Sequence, residues 1–325
     1  MSSGEDDLIA RYFKPLATTP GAFGLTDDAA ILQAGGDDVV VTVDAIVEGV
    51  HFLPDDPPDT VARKALRVNL SDLAAKGAEP AGFVLTLALR QVNETWLAPF
   101  ARALGEDADQ FGCPLLGGDT VSTPGPLMIS VTAFGRVPRG RMVQRGSAKP
   151  DDVLVVSGTI GDAALGLAIR KGARGPLGAD VEASALLVDR YRVPQPRVAL
   201  ARAIRDHASA AMDVSDGLMG DLSKLCRASG VSAVVEAAAI PLSEPAQSWL
   251  TADANVLERL VSGGDDYEIL CAVPENRLAD FELAARSTGV PVTVIGRFTA
   301  GEGPSRLFGA GGREIPLDRQ SYSHF

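Results

Sequence analysis

Several short stretches of this chain concentrate carboxylates where a backbone can aim them. Residues 115 to 120 read as a short apolar strand ending in Gly117, Gly118, Asp119 and Thr120. Glycines let a backbone approach a bulky anion where any Cβ would collide, and the carboxylate that follows can hold a hard cation beside it. Taken alone, that run is also ordinary turn chemistry. Its company gives it weight, because Asp27 with Asp28, Asp44, Asp72, Asp213 with Asp216, and Asp265 with Asp266 fall at expected strand and helix ends. Residues 213 to 217 place two carboxylates three apart between a strand end and a helix start. Both can then face one cation while Ser215 and the first helical N–H groups meet an anion, although Ser215 or Asp216 could equally be a plain N-cap. Ser262, Gly263, Gly264 and Asp265 repeat the glycine-glycine-acid signature. Aspartates that converge repel by several kcal/mol unless cations neutralise them, so the economical chemistry is Mg²⁺ holding polyphosphate for phosphoryl transfer. The sequence contains no G-x-x-x-x-G-K-[ST] loop, no H-R-D or D-F-G set, no H-E-x-x-H and no Cys/His pair at ligand spacing.

Composition narrows the class. The 325 residues exceed what one compact core usually serves, and 46% hydrophobic with 22% charged residues describes a globular chain with a sizeable core. Thirty Lys and Arg against 42 Asp and Glu give a net charge of −12, the wrong sign for a nucleic-acid binder that must neutralise phosphates. Cys113, Cys226 and Cys271 lie far apart, which argues against a disulfide framework or zinc site and points to the cytoplasm. No apolar run is long enough to cross a membrane, and the polar first residues predict no secretion.

The elements that must carry these residues follow from periodicity and punctuation. Residues 4 to 13 predict an amphipathic helix; residues 37 to 43 a β-branched strand ending at Asp44, whose side chain would leave the sheet's end. Pro58 opens a helix that Gly77 closes, with Asn69 and Asp72 near its last turn, where a carboxylate opposes the macrodipole unless something positive offsets it. Strands over 83–89, 115–120 and 127–134 and a helix capped by Asn93 complete a β-α-β-α-β alternation. Arg136, Arg139, Arg141 and Arg145 form a basic cluster and candidate anion site. Residues 147 to 152 read as a linker, dividing the chain into halves 1–148 and 149–325. The second half alternates strands over 153–156, 210–214, 231–235, 269–273 and 290–298 with helices, and ends in a hairpin-like tail. The fold class is α/β (α+β) in two domains.

The residues at 4–5 and 8–9, Asp27 to Ala30, Val43-Asp44 with Gly49 to Phe52, Asn69 to Ala75, Gly117 to Thr120, Asp213 to Leu218, Ser262 to Glu268 and the terminal Tyr322 to Phe325 together resemble the thiamine-monophosphate kinase family, in order along the whole chain. The resemblance implies an aminoimidazole ribonucleotide synthetase-like fold and a homodimer built through the N-terminal strands. It also implies ATP-dependent, Mg²⁺-assisted conversion of thiamine monophosphate to thiamine diphosphate by direct in-line transfer. Carried over by position, it implies Mg²⁺ at Asp28, Thr42, the backbone of Val43, Asp44, Asp72, Asp119, Asp213 and Asp216. It implies ATP at Gly118, Asp119, Arg145 and Ser215, thiamine monophosphate at His51, Asp265 and Arg319, and catalytic roles for Asp72, Asp119 and Asp213. Asp265 stands where the family commonly has glutamate, Arg319 where an aromatic commonly stacks on the substrate, and Thr26 where a glycine is usual. Two other readings are a related ATP-dependent enzyme with another acceptor, such as an aminoimidazole ribonucleotide synthetase, and an ATP-holding sensor without turnover.

Overall fold

The computed structural model describes residues 23–24, 26–27, 30–34, 36–176, 181–319 and 321. The expected helix over 4–13, Asp28 and the terminal residues 322–325 lie outside them.

The first half is one five-stranded sheet with two helices on one face. Its strands are β1 (Ala30–Ala34), β2 (Asp37–Val47), β3 (Glu79–Leu89), β4 (Leu115–Ser122) and β5 (Met128–Pro138), in the order β1-β2-β5-β3-β4. Helices α1 (Pro58–Ala75) and α2 (Glu94–Gln110) cover it. Asn93 caps α2 by accepting from the Thr95 N–H, and Gly77 closes α1 at a φ of +69°, a conformation glycine reaches without a Cβ penalty. The βαβ alternation yields a single parallel pair, β3 with β4 across α2; the other pairings of this sheet are antiparallel. Strands alternate faces with a period of two. In β2, Val40, Thr42 and Ile46 turn to the helices while Val43, 60% exposed, and Ala45 turn the other way. Leu116 and Val121 of the edge strand are exposed as well, so the second face of this sheet carries uncovered apolar surface.

The second half holds β6 (Val153–Ser157), α3 (Asp162–Arg170), α4 (Val181–Arg192), α5 (Ala201–His207), β7 (Ala210–Val214), α6 (Leu218–Ser229), β8 (Ser232–Glu236), α7 (Glu244–Ala252), α8 (Val256–Ser262), β9 (Glu268–Val273), α9 (Leu278–Ser287), β10 (Val292–Thr299), β11 (Arg306–Phe308) and β12 (Glu314–Ile315). Its seven strands run in the order β12-β11-β8-β10-β6-β9-β7, antiparallel except where β11 meets β8.

Helix α1 joins the halves. Fourteen of its 18 residues are buried, more than the single apolar stripe read from the sequence, because it packs on β2 and β5 on one side and on β7 and β9 on the other. Ala74 and Ala75 share a core cluster with Leu200, Ile204, Ala211 and Ile269. The fully buried Lys76 donates to the Ala211 carbonyl at 2.9 Å and pairs with Asp27 at 2.8 Å, and Arg67 donates to the Pro194 carbonyl at 3.1 Å. A buried ammonium must be paired where it sits, so these contacts hold the two sheets in one register. No helix among the described residues is long and apolar enough to cross a membrane.

Candidate active site

The alternation of β2 aims Thr42 and Asp44 at α1. Asp44 does not end its strand: β2 continues to Val47, with Asp44 opposite Val131, so its side chain reaches the site from the sheet's face rather than its end. Thr42 Oγ1 donates to Asp72 Oδ2 at 2.5 Å, and Asn69 Oδ1 accepts from the Asp44 N–H at 3.0 Å while its amide donates to the Ala65 carbonyl. From the other half, β7 brings Asp213, followed by Ser215 and Asp216. Asp44, Asp72, Asp213, Ser215 and Asp216 line a cleft of roughly 850 Å³ between the halves, together with Val43, His51, Asp265, Lys171 and Arg259.

The electrostatics of that cleft are those of a site built for cations. Burial lifts the Asp213 carboxyl to about 7, helped by the charges of Asp221 and Asp44; burial, then Asp216, lifts Asp44 to about 6. Asp72 is pushed well above the usual carboxylate range by burial, then by Asp213 and Asp44. Among the described residues, no three acidic, histidine or cysteine side chains stand close enough to cage an ion by themselves. Mg²⁺ keeps few protein carboxylates and completes its octahedron with water and substrate phosphates. The donor set here, carboxylates with the Thr42 hydroxyl and the Val43 carbonyl, therefore fits an ion that arrives with a polyphosphate.

Two loops interlock to place the second-half residues. The Asp265 N–H donates to the Ser215 carbonyl at 2.8 Å and the Tyr267 N–H to that of Val214 at 2.8 Å. A Cβ on Gly264 would stand 2.5 Å from the Ser215 oxygen, so that glycine serves backbone-to-backbone packing. Gly118 is also packed against backbone, since its Cβ would meet the Leu85 carbonyl of β3 at 2.0 Å. Asp265 and Tyr267 take positive φ of 74° and 51°, which sends neighbouring carboxylates opposite ways. Asp265 faces the cleft, while Asp266 turns inward to accept from the Gly161 N–H at 2.8 Å, capping α3. Asp27 likewise turns from the cleft, accepting from the Arg145 N–H at 2.7 Å and pairing with Lys76. His51 sits on the turn after β2, where the Val47 N–H donates to its Nδ1 at 3.0 Å; with Nδ1 accepting, the ring's proton belongs to Nε2.

Several functional residues were not singled out by sequence reasoning. Asp221, fully buried in the first turn of α6, accepts from the Ser215 and Asp216 N–H groups at 2.9 and 2.8 Å and so shapes the 213–217 loop. Lys224 reaches Asp216 at 2.5 Å and Asp221 at 3.0 Å. An acid at the start of a helix is the one signal that could have marked Asp221, and it reads there as a dipole partner.

Other expected residues are not gathered into the cleft. Strand β4 runs through Asp119 as expected and continues past Thr120 to Ser122. Asp119 lies opposite Thr86, on the same ladder row as Ser130 and Ala45. Its carboxylate is thus on the open face, three strand spacings or roughly 14 Å from the rim residue Ala45. Arg145 sits in a 3-10 turn, its carbonyl accepting from Ser229 Oγ at 3.0 Å. Arg141 is engaged with Asp206 at 3.1 Å, and Arg136 lies opposite Glu79 in the sheet, so the basic cluster does not act as one patch. Arg319, its N–H on Glu258 at 2.8 Å, lines a second cavity of roughly 790 Å³ that shares Ala173, Arg259 and Gly263 with the acidic cleft.

Comparison with known proteins gives a consistent neighbourhood. Residues 26–137 match the AIR synthase related protein N-terminal domain and residues 149–307 the C-terminal domain. The chain is 47% identical to the thiamine-monophosphate kinase of Caulobacter vibrioides, covering 98% of this chain and 90% of that protein. A structure of AaThiL complexed with AMPPCP and TMP superposes with a TM-score of 0.82 at 29% identity, over 99% of this chain and 96% of that one. The thiamine-monophosphate kinase structure from Stenotrophomonas maltophilia gives 0.78 at 37%, over 96% and 98%.

Proposed function

The chain belongs to the AIR synthase-related family and, within it, to the thiamine-monophosphate kinases, and from that premise we infer that it transfers the γ-phosphoryl group of ATP to thiamine monophosphate, giving thiamine diphosphate and ADP. The observation that carries the reading in this chain is the convergence of Asp44, Asp72, Asp213 and Asp216, from both halves, in one cleft with His51 and Asp265.

In this assignment Asp28, Thr42, the Val43 carbonyl, Asp44, Asp72, Asp119, Asp213 and Asp216 would hold Mg²⁺, which would supply charge neutralisation and polarisation of the transferring phosphoryl group. The chain's own residues then orient and enclose. Gly118, Asp119, Arg145 and Ser215 take ATP, the roughly 14 Å between Asp119 and the cleft rim being a span for an extended nucleotide rather than one ion. The Nε2–H of His51 is a donor for the acceptor's phosphate, Asp265 faces its cationic part, and Arg319 in the adjoining cavity receives its ring portion. The attacking phosphate oxygen is already anionic at neutral pH, so no general base is required, and Asp72 and Asp213 act by fixing the two phosphates in line. Residues 1–148 are assigned as the ATP, Mg²⁺ and dimerisation domain and 149–325 as the domain that completes the site. A homodimer across the open face of the first sheet covers Leu116 and Val121, and three buried, unpaired cysteines suit the cytoplasm.

The test is product analysis with ATP, Mg²⁺ and thiamine monophosphate, against free thiamine and chelator controls. Equal amounts of ADP and thiamine diphosphate, formed only with the monophosphate and metal, are expected. ATP binding without either product refutes the assignment.

A further inference from the structure

Lys64 is a buried charge beside the acceptor residues that the reaction described above does not use. It projects from α1 with 1% of its side chain exposed, and its Nζ donates to the His51 carbonyl at 2.8 Å, lies 3.2 Å from Asp265 Oδ1 and stands 4.0 Å over the Tyr191 ring. The Tyr191 hydroxyl donates to the same His51 carbonyl at 3.3 Å. One ammonium thus ties together the turn after β2, helix α1, helix α4 and the strained loop before β9. Desolvating an ammonium is costly, and replacing a buried ion pair by apolar side chains is often neutral or stabilising, so packing alone does not call for lysine here. What the lysine adds is direction: it fixes the backbone under the His51 imidazole and the carboxylate of Asp265 at the same time.

We propose that Lys64 is the positioning residue of the acceptor side, holding His51 and Asp265 in the mutual geometry that recognises a phosphomonoester bearing a cationic ring. The proposal rests on the kinase assignment above. Among the described residues, the Lys64 ammonium contacts His51, Asp265 and Tyr191, all on the acceptor side, so its effect is confined to one substrate. The cation–π contact with Tyr191 and the carboxylate of Asp265 hold the ammonium from both sides, which restricts its own rotamers.

The experiment is steady-state kinetics of Lys64→Met, Asp265→Asn and the double variant, with thermal unfolding as the fold control. Wild-type turnover of thiamine monophosphate is read first: its absence fails the underlying function and this assignment with it. Given turnover, Lys64→Met is expected to raise KM for thiamine monophosphate by about tenfold or more, with KM for ATP within about twofold, and the double variant is expected to be no worse than the weaker single one. A KM for thiamine monophosphate that does not move, equal rises for both substrates, or multiplicative effects in the double variant overturns the proposal while leaving the kinase assignment intact. Should Lys64→Met not fold, Tyr191→Phe removes the second donor to the His51 carbonyl; a smaller rise confined to thiamine monophosphate supports the assignment, and no rise overturns it.

Discussion

Replacing Asp213 by Asn separates what the acidic cleft does for chemistry from what it does to stability. In the metal-free chain, burial and the charges of Asp221 and Asp44 lift the Asp213 carboxyl from the ordinary 3.8 to about 7. A raised carboxyl favours the folded chain only when protonated: that stabilisation is complete below about pH 4 and is lost as the pH rises through about 7. The gap is about three units at about 1.4 kcal/mol each, so an ionised Asp213 costs the folded metal-free chain roughly 4 kcal/mol at pH 8. Asn removes that charge but weakens the hydrogen bond from Ser71, worth about 1–2 kcal/mol, leaving a net gain of about 2 kcal/mol. With an unfolding entropy of about 2.1 cal/mol/K per residue over 325 residues, the midpoint rises by about 3 °C. The assay is calorimetric unfolding in chelator at pH 8 and pH 5. Asp213→Asn is expected to melt higher at pH 8, to lose that advantage by pH 5, where the wild-type carboxyl is already protonated, and to have no kinase activity at either pH. A lower midpoint at pH 8, or a difference that ignores pH, refutes the reasoning.

Mg²⁺ with ATP should raise the melting midpoint of the wild type more at pH 8 than at pH 6, because the Asp44 and Asp213 carboxyls, lifted to about 6 and about 7, must ionise to hold the ion; a pH-independent increment in a thermal-shift series would falsify this. Gly264→Ala puts a Cβ 2.5 Å from the Ser215 carbonyl and wedges the two interlocked loops apart, at a cost of about 1–3 kcal/mol; kcat/KM should fall by about tenfold or more, and unaltered kinetics would show that the loops tolerate separation. Leu116→Glu places a charge on the open sheet face, where Leu116 is 61% exposed, and sedimentation should find monomers; a dimer that persists places the interface elsewhere. Arg67→Met breaks the two-pronged pairing of Arg67 with the buried Asp107 at 2.5 and 2.9 Å, and should cost about 3–5 kcal/mol in denaturant unfolding; a loss under about 1 kcal/mol would mean that Arg63 suffices for Asp107.

Element types were largely legible because their signals are local. Pro58 and Gly77 bound α1, Asn93 caps α2, and Gly230 ends α6 in the left-handed conformation, each by chemistry confined to a few residues. Boundaries slipped where a strand's length is set by its partner: β2 passes Asp44 because β5 pairs with it as far as Met128, and β4 passes Thr120 because β3 pairs with it as far as Leu89. The glycines of the two glycine-glycine-acid runs were read as room for an anion. At Gly118 and Gly264 they are room for a neighbouring carbonyl, a distinction that depends on a segment more than thirty residues away in the chain.

The sequence by itself determined the family, the two-sheet composition and the stock of aspartates from which the site is drawn, since motif order and local periodicity need no knowledge of distance. Which aspartates meet in one cleft was decided by tertiary structure. Asp44, Asp72, Asp213 and Asp216 meet because α1 is buried between two sheets, whereas Asp27 and Asp266 turn to Lys76 and to the N-terminus of α3. Adjacent carboxylates look alike in a sequence. Strand alternation and positive φ send them to opposite sides of the chain, and burial among like charges then sets which of them require a cation.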